Sequence, residues 1–289
     1  MKNNKKLIAN IALFLVAIIW GGGFVAGKMA LTGSTPFVVI AYRFCIAAII
    51  TFIIFFKKII HCNPDTVKKG LLIGIIEFAA LAVQLTGLQY TTSAKQSFLC
   101  TAYVAMVPFI SWIILKQKVK GKEILSGFIA LIGIGLISLE GSLSIGLGDS
   151  LSLGFALLFG IQIVLIGKFV NADTDAFVLT FFEFVSAGVL SFLVCIIRGD
   201  NLILQGNESF IGVAYLILFN TVVAFLVQNT AQRFTTDTLA SLILSFESLF
   251  GFAFSIIYYH EKPTIKFFIG AVLCFAAILI NSYKKNKVE

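Results

Sequence analysis

Four ionisable residues stand inside long apolar stretches of the sequence, and they are the first candidates for chemistry. They are Arg43, Glu77, Glu183 and Glu247. A charged group surrounded by apolar residues at membrane depth must be protonated, paired or solvated, and such groups commonly mark the paths of substrates and ions. Binding or proton transfer, rather than bond cleavage, is the chemistry that isolated residues of these types predict.

Glu247 is expected near the middle of its helix. Its carboxylate could bind a cationic group of a substrate or carry a proton during a transport cycle. The alternative is a structural Glu bonded to a neighbouring helix, and the sequence leaves both options open.

Aromatic and amide side chains are predicted at the same depth on other helices. Together they would offer stacking surface and hydrogen bonds for a zwitterion or an aromatic organic compound. The alternative is that the aromatic rings only fill gaps between helices. The predicted cavity residues are Trp20, Phe24, Tyr103, Phe159, Gln162 and Glu247.

A second group is predicted nearer the two mouths, as gate or vestibule residues. Arg43, in the outer third of its helix, could bind a carboxylate or a phosphate, or it could extend to the interface. Glu77 and Glu183 could attract cations in an inner vestibule, or they could be solvated charges at helix ends. Gln84 and Gln228 could form matching hydrogen bonds at the two gates, or they could join helices by packing.

The composition indicates which environment holds these residues. Of the 289 residues, 59% are hydrophobic and 12% are charged, whereas a soluble domain has about 25% charged residues. The net charge of +8 is concentrated in short connections and at the termini, which favours contact with anionic lipid over nucleic-acid binding. The five cysteines form no cluster with histidine, so no metal site or cofactor is expected.

The apolar stretches are long enough to cross a bilayer, which takes about 20 residues each. They predict an all-α integral membrane protein with ten transmembrane helices. The predicted spans are 7–30, 36–56, 70–90, 94–115, 123–140, 149–169, 176–197, 210–231, 238–258 and 264–283.

The distribution of basic residues predicts the orientation. With both termini in the cytoplasm, 16 of the 22 Lys and Arg residues lie inside and 5 outside, and Arg43 lies within a span. Because basic residues favour the cytoplasmic side, we expect a multi-pass protein of the plasma membrane with the N-terminus and C-terminus cytoplasmic.

The two halves of the chain resemble each other. The segment VQLTGLQYTT at 83–92 matches VQNTAQRFTT at 227–236 at five of ten positions, with an offset of 144. In the same way, AYRF at 41–44 lies opposite FFEF at 181–184, and AIIWG at 17–21 lies opposite ALLFG at 156–160. Two units, 1–145 and 146–289, therefore have five spans each. Because five is odd, the second unit enters the membrane from the opposite side, which is the inverted-repeat plan of many secondary transporters.

Short motifs point to a family. They are WGGGF at 20–24, SFESLFGFAFSIIYYHE at 245–261, AQR at 231–233 and GD at 148–149. Together these segments resemble the EamA-type branch of the drug/metabolite transporter superfamily. In this chain Ser248, His260 and Gln117 replace residues that are usual there. The resemblance implies a carrier driven by protons or by exchange, often an exporter of amino acids or related metabolites.

A secondary active transporter of small organic metabolites is therefore the predicted function, with alternating access to a midplane cavity between the repeats. The alternatives are an integral-membrane enzyme, for which the sequence offers no clustered nucleophile, base or metal ligands, and a channel without a transport cycle. The expected partners are a small-molecule substrate and the lipid bilayer.

Overall fold

Helices make up all the regular secondary structure in the part of the chain that the computed structural model describes. That part is residues 2–282 apart from 117, 118, 120, 139–144, 171–173, 261 and 263. The α-helices are α1 (Lys2–Ala30), α2 (Pro36–Ile60), α3 (Pro64–Leu88), α4 (Ser93–Cys100), α5 (Tyr103–Leu115), α6 (Gly121–Ser138), α7 (Leu147–Phe169), α8 (Ala176–Arg198), α9 (Asn207–Tyr215), α10 (Ala224–Gln232), α11 (Asp237–Leu244), α12 (Glu247–Tyr259) and α13 (Ile265–Ser282). A π-helical stretch, Leu216–Val223, joins α9 to α10.

Eight helical segments of 23–26 residues are long and apolar enough to cross a bilayer, so the chain is a multi-pass membrane protein. Large apolar side chains such as Ile53 and Ile197 are 70% and 83% exposed, as expected where lipid is the solvent. The helices α6 and α13 lie at the predicted fifth and tenth spans and have 18 residues each. The eight segments are Lys5–Ala30, Pro36–Ile60, Pro64–Leu88, Ser93–Leu115, Leu147–Phe169, Ala176–Arg198, Asn207–Gln232 and Asp237–Tyr259.

The helix ends follow from local sequence. Thr35 and Asn63 cap α2 and α3 with side-chain oxygens, and each is followed by a proline at the first helical position. Proline fits there because its missing N–H would have no partner within the helix. At the other end of α8, Gly199 adopts a left-handed conformation with φ 68°, which glycine adopts without steric cost.

Two spans are broken at equivalent positions. The α4–α5 break falls at Thr101–Ala102 and the α11–α12 break at Ser245–Phe246, so that the two breaks are 144 residues apart, the offset found in the sequence. The caps repeat at the same offset. Thr92 and Thr236 cap the first helix of each pair, whereas Lys116 and His260 end the second with left-handed backbones at φ 57° and 52°.

Residues at equivalent positions of the two halves also contact each other. The rings of Trp20 and Phe159 have centroids 5.4 Å apart, those of Phe44 and Phe184 are 5.6 Å apart, and the Cys274 thiol donates a hydrogen bond of 3.8 Å to the carbonyl of Ala130. The halves therefore meet along a line of matching positions.

Small residues allow this close contact between helices. A Cβ atom on Gly74 of α3 would collide with the Glu183 carbonyl of α8, and one on Gly133 of α6 would lie 2.7 Å from the sulfur of Cys274 in α13. Close backbone approach through small residues is a common way for membrane helices to pack, because burial from lipid gives little driving force.

Candidate functional site

A small cavity lies where the two halves meet. Its volume is about 40 Å³, which is room for a few water molecules. The polar or ionisable residues that line it are Arg43, Glu77, Gln84, Gln96, Asn220 and Glu247. The apolar lining consists of Trp20, Gly23, Phe24, Leu81, Leu85, Leu88, Phe155, Phe159, Leu216 and Phe225.

One wall of the cavity is aromatic and belongs to both halves. Besides its contact with Phe159, Trp20 packs edge-to-face on Phe225 at 5.5 Å, and Phe155 stacks on Phe159 at 5.2 Å. The indole Nε1 of Trp20 donates a hydrogen bond of 3.0 Å to the Asn220 carbonyl. This bond fixes the ring orientation, so the wall presents a preformed apolar surface.

Arg43 of α2 faces the π-helical stretch and is held there by two side chains. Its Nε donates to Thr221 Oγ1 at 3.0 Å and its Nη2 donates to Asn220 Oδ1 at 2.9 Å. Thr221 in turn donates to the Leu216 carbonyl five residues earlier. A π-helical turn inside an α-helix is rare and is often found at functional sites; here it presents Asn220 and Thr221 side by side to the guanidinium.

Two buried carboxylates on neighbouring helices, Glu183 of α8 and Glu77 of α3, differ sharply in their surroundings. Glu183 accepts hydrogen bonds from Gln162 Nε2 at 2.7 Å and from Asn229 Nδ2 at 2.8 Å, one on each oxygen. Glu77 is equally buried, yet neither of its oxygens has a hydrogen-bond partner among the described residues. The protein therefore replaces the hydration of Glu183 but not that of Glu77.

Glu247 is the third carboxylate, and it belongs to the first turn of α12, where the helix dipole favours negative charge. It lines the cavity and is 4% exposed. Tyr103, its counterpart in the first half, begins α5 and packs behind Phe159 with ring centroids 5.1 Å apart. The Tyr103 hydroxyl is buried without a hydrogen bond of standard geometry among the described residues, and it lies close to the Glu247 carboxylate.

The two predicted gate glutamines are in different places. Gln84 lines the cavity and donates a hydrogen bond of 3.7 Å to the Cys100 sulfur. Gln228 is fully buried away from it and donates to Gln232 Oε1 at 2.9 Å.

The structure thus brings together seven of the residues selected from the sequence and places four elsewhere. Those at the cavity are Trp20, Phe24, Arg43, Glu77, Gln84, Phe159 and Glu247. Those that do not line it are Tyr103, Gln162, Glu183 and Gln228, all of them completely buried.

Sequence reasoning missed Asn220, Thr221, Gln96 and Phe225. The adjacent polar pair Asn220–Thr221 in the middle of an apolar span was a readable signal. Its importance depends on the π-helical turn, which has no marker in the sequence.

Ion pairs join the two halves at both ends of the bundle. Where α4 and α7 begin, Lys95 Nζ lies 2.9 Å from Asp149 Oδ2, and the side chains are 18% and 3% exposed. At the opposite end Lys58 lies 2.9 Å from Asp175, with 49% and 38% exposure. Exposed pairs contribute little, so the Lys95–Asp149 end is the more firmly closed of the two.

Comparison with known proteins identifies a family, relatives in sequence and a solved structure that are similar to this chain. The model of the EamA-like transporter family matches the chain twice, at residues 7–139 and 146–283. A protein named as an uncharacterized transporter of Archaeoglobus fulgidus is 30% identical over 286 residues, which cover 97% of this chain and 87% of that protein. An uncharacterized transporter of Clostridium kluyveri is 26% identical over 96% of this chain and 93% of its own. A solved crystal structure with 13% identity superposes with a TM-score of 0.71 over 95% of this chain and 96% of its own, which shows a shared fold.

The helical membrane fold and these relatives point to a membrane transporter rather than an enzyme. The chain belongs to the EamA-like transporter family, a member of the drug/metabolite transporter superfamily.

Proposed function

We propose that this protein is a secondary active transporter, an exporter or exchanger, of small organic metabolites such as amino acids. The observation that carries the proposal is the cavity between the halves. It combines an aromatic wall, one guanidinium and two carboxylates. Aromatic and apolar surface with a few fixed polar groups is typical of sites for small organic ligands.

The charge pattern supports a zwitterionic substrate class. Arg43 offers a cationic group to a carboxylate, and Glu247 offers an anionic group to an amine. A compound with both groups and an apolar side chain would match all three features, and an amino acid is such a compound.

Ten spans arranged as two inverted-topology repeats, 1–145 and 146–289, would give the protein a means of alternating access. The equivalent helix breaks and caps support the repeat, as do the contacts between Trp20 and Phe159 and between Phe44 and Phe184. Equivalent residues of two units touch only beside the axis that relates the units, so these contacts support an axis passing through the cavity. Two similar halves can then exchange open and closed ends.

The small volume of the cavity supports a nearly occluded stage of the cycle. The cavity of about 40 Å³ is far smaller than a typical site for an organic ligand, about 300–1,000 Å³. A substrate can therefore enter only after one end opens, and the ion pairs Lys95–Asp149 and Lys58–Asp175 are the contacts that opening would break.

Proton coupling is part of the proposal, with Glu247 as the carrier on the return step. A carboxylate that lines a closed cavity in the membrane must be neutralised before the empty protein reorients. The location that we propose is the plasma membrane, with both termini in the cytoplasm, as the distribution of Lys and Arg predicts.

The test is counterflow in proteoliposomes. Purified protein is reconstituted into vesicles preloaded with an unlabelled amino acid, and uptake of the labelled compound is followed over a panel of amino acids and amines. A carrier gives a transient, saturable accumulation that depends on the internal compound. Wild-type protein that gives no counterflow with any compound, or flux without saturation, would overturn the proposal in favour of a channel.

A further inference from the structure

Arg43 has hydrogen-bonding capacity that the described protein does not use. A guanidinium carries five N–H groups, and two are donated, to Thr221 and to Asn220. The three that remain have no acceptor among the described residues, although the side chain is 3% exposed and lines the cavity. A buried guanidinium with free donors beside a cavity is prepared to bind an anion, and its planar fork fits a carboxylate.

Among the described residues, Glu77 lacks hydrogen-bond donors, whereas Arg43 lacks acceptors for three of its N–H groups. Both of its oxygens are buried without a hydrogen-bond donor, and it lines the same cavity as Arg43. Glu183 serves as an internal comparison, because it is just as buried but has a donor on each oxygen. An unsolvated buried anion is costly, so Glu77 depends on the positive charge of Arg43 or on a proton.

The repeat shows why these groups face one another. Arg43 and Glu183 occupy equivalent positions in the two halves, as do Glu77 and Thr221 at the offset of 144. The contact of Arg43 with Thr221 therefore corresponds to the neighbourhood of Glu183 and Glu77, and each of the two pairs joins one half to the other. The two halves have placed opposite charges at the matching positions of Arg43 and Glu183.

We propose that Arg43 binds a carboxylate group of the substrate and that Glu77 is the counter-charge which takes up a proton when the carboxylate arrives. This inference rests on the transport function proposed above. The charged groups around Glu77 are Arg43 on α2 and Glu183 on α8, and Glu247 on α12 lines the same cavity. They already comprise one cation and two further carboxylates, so an added anion needs compensation in a closed cavity. One proton passes from solvent to a Glu77 oxygen, and no covalent bond to carbon forms or breaks.

The same charges select among anions. Inorganic phosphate carries up to two negative charges and would face Glu77 and Glu247 with only one guanidinium to oppose them. A monocarboxylate adds a single charge, which one proton offsets. The ligand class is therefore a monocarboxylate, alone or within a zwitterion.

The chain supplies a reporter for this site. Of its two tryptophans, Trp20 lines the cavity, whereas Trp112 is 53% exposed on the outer surface. Trp112→Phe leaves Trp20 as the single indole, and its fluorescence then follows occupancy of the cavity. The probes are L-leucine, L-phenylalanine, the corresponding amides, which keep the amine but lack the carboxylate, and inorganic phosphate.

In the Trp112→Phe protein we expect saturable fluorescence responses to L-leucine and L-phenylalanine. Their amides and inorganic phosphate should bind at least tenfold more weakly. Carboxylate affinity should rise as the pH is lowered from 8 to 6, by up to about tenfold per unit for one bound proton. Arg43→Gln should abolish the preference for carboxylate over amide. Glu77→Gln should keep binding but remove its pH dependence.

The matched controls are Arg233→Gln and Glu208→Gln, both at exposed positions, and they should behave as the background does. Because Arg43→Gln leaves Glu77 without a counter-charge, its folding is checked with the charge-balanced double variant Arg43→Gln/Glu77→Gln, which should fold and still lack the preference. Three results would each overturn the inference. They are equal affinity for the amino acids and their amides, no response to either amino acid, and pH dependence that is lost in Glu247→Gln but kept in Glu77→Gln. Counterflow by the wild-type protein separates this inference from the proposed transport function. If counterflow is observed together with any of these results, the inference fails but the transport function stands.

Discussion

The Nη2 atom of Arg43 donates a hydrogen bond of 2.9 Å to Oδ1 of Asn220, which joins a cation in the first half to a π-helical turn in the second. The indole of Trp20 is bonded to the backbone carbonyl of the same Asn220. One residue thus fixes the direction of both the guanidinium and the aromatic wall, which makes the π-helical turn the positioning element of the cavity.

Asn220→Ala should therefore lower both stability and substrate affinity. Hydrogen bonds between membrane helices average about 0.6 kcal/mol and reach about 1.7 kcal/mol, and the charged partner favours the upper end. We expect a loss of about 1–2 kcal/mol in unfolding free energy and severalfold weaker binding by Trp20 fluorescence. Asn201→Ala, in an exposed loop, is the matched control, and equal behaviour of the two variants would count against a positioning role.

Trp20 and Tyr103 should differ in what their removal does. Trp20→Ala deletes a lining ring and should weaken substrate binding by about 0.5–1.5 kcal/mol. Tyr103→Ala, behind Phe159, should mainly reduce stability, whereas Tyr103→Phe keeps the ring and should be close to neutral because the hydroxyl makes no hydrogen bond of standard geometry among the described residues. Affinity and thermal unfolding of the three variants separate these effects, and a large loss of affinity in Tyr103→Phe would contradict them.

Glu247→Gln should separate exchange from proton-driven accumulation. Glutamine keeps the size and much of the hydrogen bonding but cannot titrate. If Glu247 carries protons, the variant should still exchange substrate for substrate but should not concentrate it on a pH gradient. Loss of binding and exchange together would instead indicate pairing with a cationic substrate. Accumulation at the normal rate would exclude the proton role.

The sequence predicted the helices well because apolar length is a direct physical signal. The α8 helix, for example, was expected at 176–197 and is found at Ala176–Arg198. The breaks at Thr101–Ala102 and Ser245–Phe246 were not predicted, because neither contains the Pro or Gly that usually marks one. Two inverted five-helix repeats remain a prediction.

The candidate site could be predicted only in part. Depth along a helix can be counted, and it predicts a common level for Trp20 and Glu247, which line the same cavity. The direction in which a side chain faces depends on helix rotation and on partners. Gln162 is turned to Glu183 rather than to the cavity, and Glu77 and Glu183 are fully buried where a solvated vestibule was one alternative.

The orientation can be tested by labelling single cysteines in a cysteine-free background. A cysteine at Asn201 should react with an impermeant reagent in intact cells, because the 198–209 connection is predicted to lie outside. One at Lys118 should react only after permeabilisation. Labelling of the Lys118 position in intact cells would reverse the assigned topology.

Alternating access to the cavity between the halves can be tested by locking one end of the protein. Cysteines at Lys95 and Asp149, whose charged groups are 2.9 Å apart, are joined by a short reducible cross-linker in the cysteine-free, Trp112→Phe protein. If access alternates, the locked protein should lose counterflow while Trp20 still responds to substrate from the opposite side, and reduction should restore counterflow. Normal counterflow in fully cross-linked protein would contradict the account.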